Sequence, residues 1–397
     1  MKNIVLKGLT ALFVLLYTEL ATAQKTPSLI PFRKGFTWGY SDTSKNMKID
    51  LQFEDAHMFS ESLAAVKKGG KWGFIDAKGK TVISFEYDAV DDFNGGYAGF
   101  LKDGKCGFID KKGKVTVNPE YDEVGRMYEG MTYVRKGSQY GYVNSKGKLV
   151  IPAQYSSATN FNNGFGSIGL NGKYLVADKK GKIIGDTTWE EPVEFKEGMA
   201  KVRINSKYGF INTSGKLVVP ARYRKAGNFS SGLATVSTDT LKQPMYGFID
   251  KKGKLVIPFE YGDAKDFSDG LAAVKLTGQW GYIDTKGKLV IPAQYLDAHP
   301  FSEGMARVRT GPNWGFINKK GEMMVDGNFI IISDFYNGRA SHRNEMNLWG
   351  AIDEKGNAII HPQFSNALIF NNGYSRVYRG NAFIGYVNRY GNQYYQE

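Results

Sequence analysis

Lys71-Trp72-Gly73-Phe74-Ile75-Asp76-Ala77-Lys78-Gly79-Lys80 sets out the centre of one structural unit in ten residues. Apolar residues around a glycine read as a short strand buried on both sides. Asp-x-x-Gly then reads as a tight turn. The Asp side chain caps backbone N–H groups of its own turn, and glycine takes the left-handed conformation without strain. The same slots recur along the chain. The anchor Gly73 has counterparts at Gly39, Gly107, Gly141, Gly209, Gly247, Gly281, Gly315, Gly350 and Gly385, with Leu175 in one place. The steps are 34 residues, apart from one of 38 and two of 35. A fixed period of this length makes the whole chain an array of one supersecondary unit.

Outward from the anchor, the other slots describe strands. The residue before it is mostly aromatic, and the pairs Trp72-Gly73, Trp280-Gly281, Trp314-Gly315 and Trp349-Gly350 are expected to form the repeated core. Three residues past the anchor stands Asp or Asn in every unit, for example Asp76, Asn144 and Asp250. Asn substitutes freely there, which favours a turn over a ladder of metal ligands. A second strand follows and is ended in several units by Pro152, Pro220, Pro258 or Pro292, because proline cannot continue a ladder. An aromatic ring stands 14 residues past each of the first ten anchors and Phe 20 past most of them. A third strand, such as Leu271-Ala272-Ala273-Val274, completes the unit. Three short strands cannot bury enough surface alone, since isolated chains below about 40 residues rarely fold without crosslinks. Stacking on neighbours supplies the core.

Composition agrees. The chain has 48 glycines, 24 tyrosines, 25 phenylalanines and a single cysteine, so no intramolecular disulfide forms. The first 23 residues stand apart: Lys2 and Lys7, a short apolar run from Leu9 to Tyr17, and Ala21-Thr22-Ala23 read as a cleaved export signal with Gln24 as first mature residue. The apolar run is shorter than the roughly 20 residues that span a bilayer. The expected division is 1–23 signal peptide, 24–35 lead-in and 36–397 repeat array. The net charge is +13 for the full chain.

The quoted units resemble the WG-repeat family, also called KWG repeats, over roughly residues 36 to 391. Lys71 to Asp76, Lys78-Gly79-Lys80, Ile291-Pro292 and Gly270 to Val274 carry the resemblance. It departs around Leu175, where Trp189-Glu190-Glu191-Pro192 replaces the usual segment. The resemblance implies a bacterial, often exported, repeat protein and brings no reaction with it. The expected fold is all-β: about ten three-stranded units in an open, curved or superhelical array, with one or two propeller-like rings as the alternative.

Catalytic chemistry is not predicted. His57, His299, His342 and His361 occupy four unrelated positions without metal-ligand spacing. Cys106 takes an aromatic slot and reads as a buried thiol. Gly164 to Gly169 spells G-x-G-x-x-G but falls in register on a strand, where a dinucleotide site needs a strand-to-helix turn. No catalytic residue, metal or cofactor is expected. The acidic group Glu190, Glu191, Glu194 and Glu197 is a weak binding candidate.

Two edges differ in character. Successive Asp-x-Lys-Gly-Lys turns must project from one edge, and their lysines form a positive stripe; Lys112, Lys114, Lys252 and Lys254 are the candidates for an anionic polymer. The opposite hairpins vary in length and sequence, which frees them for recognition. Asp239, Lys242, Gln243, Arg343, Asn344, Glu345 and Asn347 are the candidates for contact with a partner. The expected function is a non-enzymatic scaffold, exported through the Sec pathway to the periplasm or beyond, that binds an envelope protein or glycan. A lectin-like binder of acidic polysaccharide is the alternative and an envelope hydrolase the distant one. Nucleic acid is not an expected partner, nor is a membrane span after signal removal.

Overall fold

The computed structural model describes residues 27–238, 240 and 242–396. The export signal and Asp239 therefore lie outside the described residues. Within them every regular element is a β-strand. The chain begins with β1 (Ile30–Lys34), β2 (Thr37–Ser41) and β3 (Met47–Phe53), then β4 (Asp55–Ala56), β5 (Ala64–Lys68), β6 (Lys71–Ile75) and β7 (Thr81–Tyr87). β4 to β7 form one antiparallel sheet in that order, and this pattern repeats. The strands assort into eleven small sheets in chain order. Eight of the eleven sheets are thus one short strand larger than the sequence unit. The two-residue strand lies just past the aromatic that ends the preceding outer strand, too short to read as a strand of its own.

The anchor glycine has a steric cause. Trp72 pairs with Tyr87 and Phe74 with Ile83, so β7 bulges over Gly73. A Cβ on Gly73 would lie 2.6 Å from the Ile83 carbonyl oxygen, and one on Gly281 2.6 Å from that of Ile291. Leu175 shows how the rule is relaxed. There Tyr174 pairs with Trp189 and Val176 with Ile184, a larger bulge, and Gly185 on the outer strand adopts φ 75°.

Packing runs from sheet to sheet. The ring just past an anchor meets the Phe of the next linker, mostly edge to face: seven such pairs, from Tyr40–Phe59 to Phe316–Phe335, have centroids 4.7 to 5.0 Å apart. Each core cluster joins neighbours, as where Trp280, Tyr282 and Ile291 of the eighth sheet pack with Val308 and Ile317 of the ninth. Trp38 and Trp280 are buried in this way, whereas Trp72, Trp314 and Trp349 are half-buried.

The array is closed, which corrects the open or superhelical arrangement. The C-terminal strand Tyr395–Gln396 pairs in parallel with β1, through Arg33 N–H to the Tyr394 carbonyl at 3.3 Å and Gly35 N–H to the Gln396 carbonyl at 3.0 Å. Trp38 stacks on Phe383 at 5.2 Å, and Tyr374, Tyr386 and Tyr394 enter the first core cluster. The physical reason lies at β1. No short strand precedes it among the described residues, so its edge is open, and the final strand fills that place. Ten anchor-to-anchor units and this seam make one propeller-type ring.

Candidate binding rims

The turns after each anchor strand project from one rim. Asp110 Oδ1 accepts the N–H groups of Lys112 and Lys114, both at 2.9 Å, and Asp250 Oδ1 those of Lys252 and Lys254, both at 2.9 Å. Asn144 does the same for Lys146 and Lys148 at 3.0 Å. The glycine between each lysine pair has φ near 80°, as at Gly113 and Gly253. Backbone amides are thus consumed inside the turn, while the side chains of Lys112, Lys114, Lys252 and Lys254 are exposed.

On the same rim, acidic residues clasp one sheet to the next. Glu61 accepts the Gly96 N–H at 2.9 Å and pairs with Lys111 at 3.0 Å. Glu129 holds Gly164 at 2.9 Å and Lys179 at 2.8 Å; Glu197 holds Gly232 at 3.0 Å and Lys251 at 3.3 Å. Asp269 repeats the arrangement with Gly304 at 2.8 Å and Lys319 at 4.0 Å. Partial burial would raise these carboxyls, but the Lys111 and Lys179 ammonium groups and the glycine N–H donors hold Glu61 and Glu129 below the usual carboxylate range. The four clasps fall on alternate sheets.

The opposite rim carries the hairpins that vary. Lys242 and Gln243 lie exposed on the longest of them, which is braced from within: the Thr238 N–H reaches the Met245 carbonyl at 2.9 Å and Thr240 Oγ1 the Gln243 carbonyl at 2.8 Å. Beside it opens a hollow of about 400 Å³ lined by Arg222, Tyr223, Thr238 and Phe259 among others. On the second hairpin Glu345 is exposed, as is Met346 at 77%. Asn344 Oδ1 accepts the Leu348 N–H at 3.0 Å, and Asn347 has φ 61°. Asn344 and Asn347 therefore make the turn itself. Arg343 lies over Trp349, 5.8 Å from the ring centroid. The two hairpins leave different sheets, the seventh and the tenth, so the structure does not join the six described candidates into one patch.

The acidic group has structural employment throughout. Glu190 accepts the Ser206 N–H at 3.2 Å; Glu191 pairs with Arg203 at 2.7 Å and takes the Tyr208 hydroxyl at 3.1 Å; Glu194 takes Asn162 at 2.8 Å; Glu197 is the clasp already described. Lysines on the hairpin rim are also matched, as in Lys71–Asp88 at 2.5 Å, Lys105–Asp122 at 2.7 Å and Lys136–Glu120 at 3.1 Å.

Two features escaped the sequence reading. A polar hollow of about 290 Å³ lies between the seventh and eighth sheets, lined by Lys225, Thr235, Tyr246, Asp263, Lys265 and Asp266 among others. Asp266 occupies the space left by Gly227, where a Cβ would stand 1.7 Å from Asp266 Oδ1. Burial pushes its carboxyl up, against Thr235 Oγ1 at 2.8 Å and the Asn228 N–H at 3.0 Å. The second is a set of cations over the tryptophans: Lys265 lies 5.1 Å from the Trp280 ring and Arg307 4.7 Å from that of Trp314. The signal was the residue 18 past the anchor, which is Gly227, Lys265 and His299 in three successive units while the slot before it keeps one residue type.

A family model described as WG containing repeat matches residues 38–72, 72–106, 107–140, 140–174, 176–208, 208–239, 246–280, 280–311, 314–341 and 349–381. No curated protein matches. Among solved structures, a eukaryotic initiation factor is 13% identical and covers 76% of this chain and 96% of its own, with a TM-score of 0.39. BamB from Moraxella catarrhalis is 12% identical, covers 66% and 92%, and gives 0.38. The WD40 beta propeller domain of Doa1 is 10% identical, covers 51% and 79%, and gives 0.28. At those TM-scores none of the three bears on what this chain binds.

Proposed function

We propose, from the premise that this chain belongs to the family of WG-containing repeat proteins, that it is an exported, non-enzymatic scaffold. The fixed slots of the repeat are spent on the fold, and the hairpins opposite the lysine turns are the elements free to differ. That division is the observation that carries the reading. The partner is a protein or glycan of the cell envelope, met in the periplasm or outside the cell after Sec export. It is held on the hairpin rim, where Lys242, Gln243, Arg343 and Glu345 offer charge and amide groups and Met346 offers apolar surface.

The experiment is capture from an envelope extract with the exported protein and with a variant in which both hairpins are shortened to two-residue turns like Gly69-Gly70. Exposed loop tips accept such changes without loss of fold, which circular dichroism verifies. Capture is expected to fall at least tenfold. Undiminished capture by the doubly shortened protein would remove the partner from this rim.

A further inference from the structure

We propose that the turn rim docks on the surface of an anionic lipid bilayer. Its lysines do not stand alone. Five turns of the third to eighth sheets exit through a lysine followed at once by an exposed aliphatic residue: Lys114-Val115, Lys148-Leu149, Lys216-Leu217, Lys254-Leu255 and Lys288-Leu289. These aliphatic side chains are 39 to 44% exposed, although they lie on strands of a packed ring. A solubility device needs the lysines and gains nothing from the neighbours. The apolar residues recur in register with the charges, so a repeating amphipathic band runs along the rim.

The band has a position and an end. Each glycine turn sits against the outer strand of the preceding sheet; a Cβ on Gly113 would be 3.4 Å from Ile83 Cγ1, and one on Gly181 3.0 Å from Val150 Cγ1. Charged turns and exposed aliphatics therefore interleave around the ring. At the seam the corresponding turn residues are Ser44 and Asn46 on one side and Tyr390 and Asn392 on the other, so the lysine pair of the turn is absent there. Lys114, Lys148, Lys254 and Lys288 have no ion-pair partner among the described residues, whereas the hairpin rim neutralises Lys71, Lys105 and Lys136. The turn rim thus carries a repeated row of lysines free of ion pairs.

Charge and apolarity together select the occupant. An acidic polysaccharide offers anions but no apolar phase for Val115, Leu149 or Leu289. A bilayer with anionic headgroups offers both: lysines meet the headgroups and the aliphatic groups enter the interface beneath them. Many weak contacts on one rim act together, because the first contact raises the effective concentration of the rest. The hairpin rim would then face away from the lipid.

The test is sedimentation with vesicles of phosphatidylcholine alone and of phosphatidylcholine mixed equally with phosphatidylglycerol, every protein carrying the same N-terminus at Gln24. The parent is expected to bind the anionic vesicles and to be released by salt. A variant with Lys114, Lys148, Lys254 and Lys288 changed to Gln should lose about a hundredfold or more in affinity. A variant with Val115, Leu149, Leu217 and Leu289 changed to Ser should lose about tenfold while keeping its salt dependence. Lys71→Gln and Lys136→Gln on the other rim should change nothing. A separate Leu149→Trp protein should show a blue shift and quenching by brominated lipid, which reports insertion without destabilising changes. Equal binding to neutral vesicles, full binding by the Ser variant, an unquenched Leu149→Trp, or binding to polygalacturonate with none to vesicles would each overturn the proposal.

Discussion

Trp280 and Trp314 occupy one slot and carry different loads. Trp280 is 5% exposed, inside the cluster shared with Val308 and Ile317, so Trp280→Ala is expected to cost about 3–5 kcal/mol in chemical denaturation. Trp314 is half-buried beneath Arg307 and Arg309, and its loss should be smaller. Lys286→Ala, on an exposed turn, should be near neutral. Equal losses for Lys286→Ala and Trp280→Ala would sink the core assignment. His299 belongs to the same neighbourhood. Burial, and then the Arg307 guanidinium 2.9 Å from Nδ1, push its pKa down to about 4. The folded protein therefore resists protonation that the unfolded chain accepts below its ordinary value, about 6.5. Stability from this group is complete above that value and falls as pH drops toward 4. Imidazole NMR should find His299 neutral at pH 5, and His299→Gln should flatten that part of the pH–stability curve. The aromatic slot was legible in the sequence because it repeats. Its depth of burial was not, because covering groups such as Lys265 and Arg307 come from slots whose residue changes from unit to unit.

The Asp-x-x-Gly turn is decided within five residues, and it was read correctly from sequence for that reason. Its chemistry needs an oxygen acceptor, not a charge, since Asn212 and Asn318 bind the turn amides as Asp250 does. Asp250→Asn should therefore leave the melting temperature nearly unchanged, while Asp250→Ala should cost about 1 kcal/mol. A penalty of similar size for Asn would show that charge matters. The clasps were not read, because their partners lie 35 and 50 residues away. Their elements were nonetheless in view: Lys111, Lys179, Lys251 and Lys319 stand four past every second anchor, and an acidic residue stands 50 or 54 positions before each. The short first strand of eight sheets was missed because two residues carry no periodicity.

Whether the array closes could not be decided by repeated slots, which are the same in a ring and in a filament. The deciding residues, Tyr394 to Gln396, lie past the last anchor and pair with a strand that precedes the first. Ending the chain after Gly391 should lower the melting point and increase the radius of gyration by small-angle scattering. An unchanged radius would show that the ring holds without its seam. The clasps give the ring a further property. They alternate, acid on one sheet and lysine on the next, through the third, fifth, seventh and ninth sheets. The order stops after the ninth sheet. Past the ninth sheet Glu303 still holds the Gly338 N–H at 2.8 Å, but Glu354 stands in the place of the lysine, with Arg389 of the last sheet reaching in. The alternation therefore spans the second to ninth sheets, and a chain that lost one repeat within that stretch would bring two acids or two lysines onto neighbouring sheets, whereas loss of a pair would keep the order.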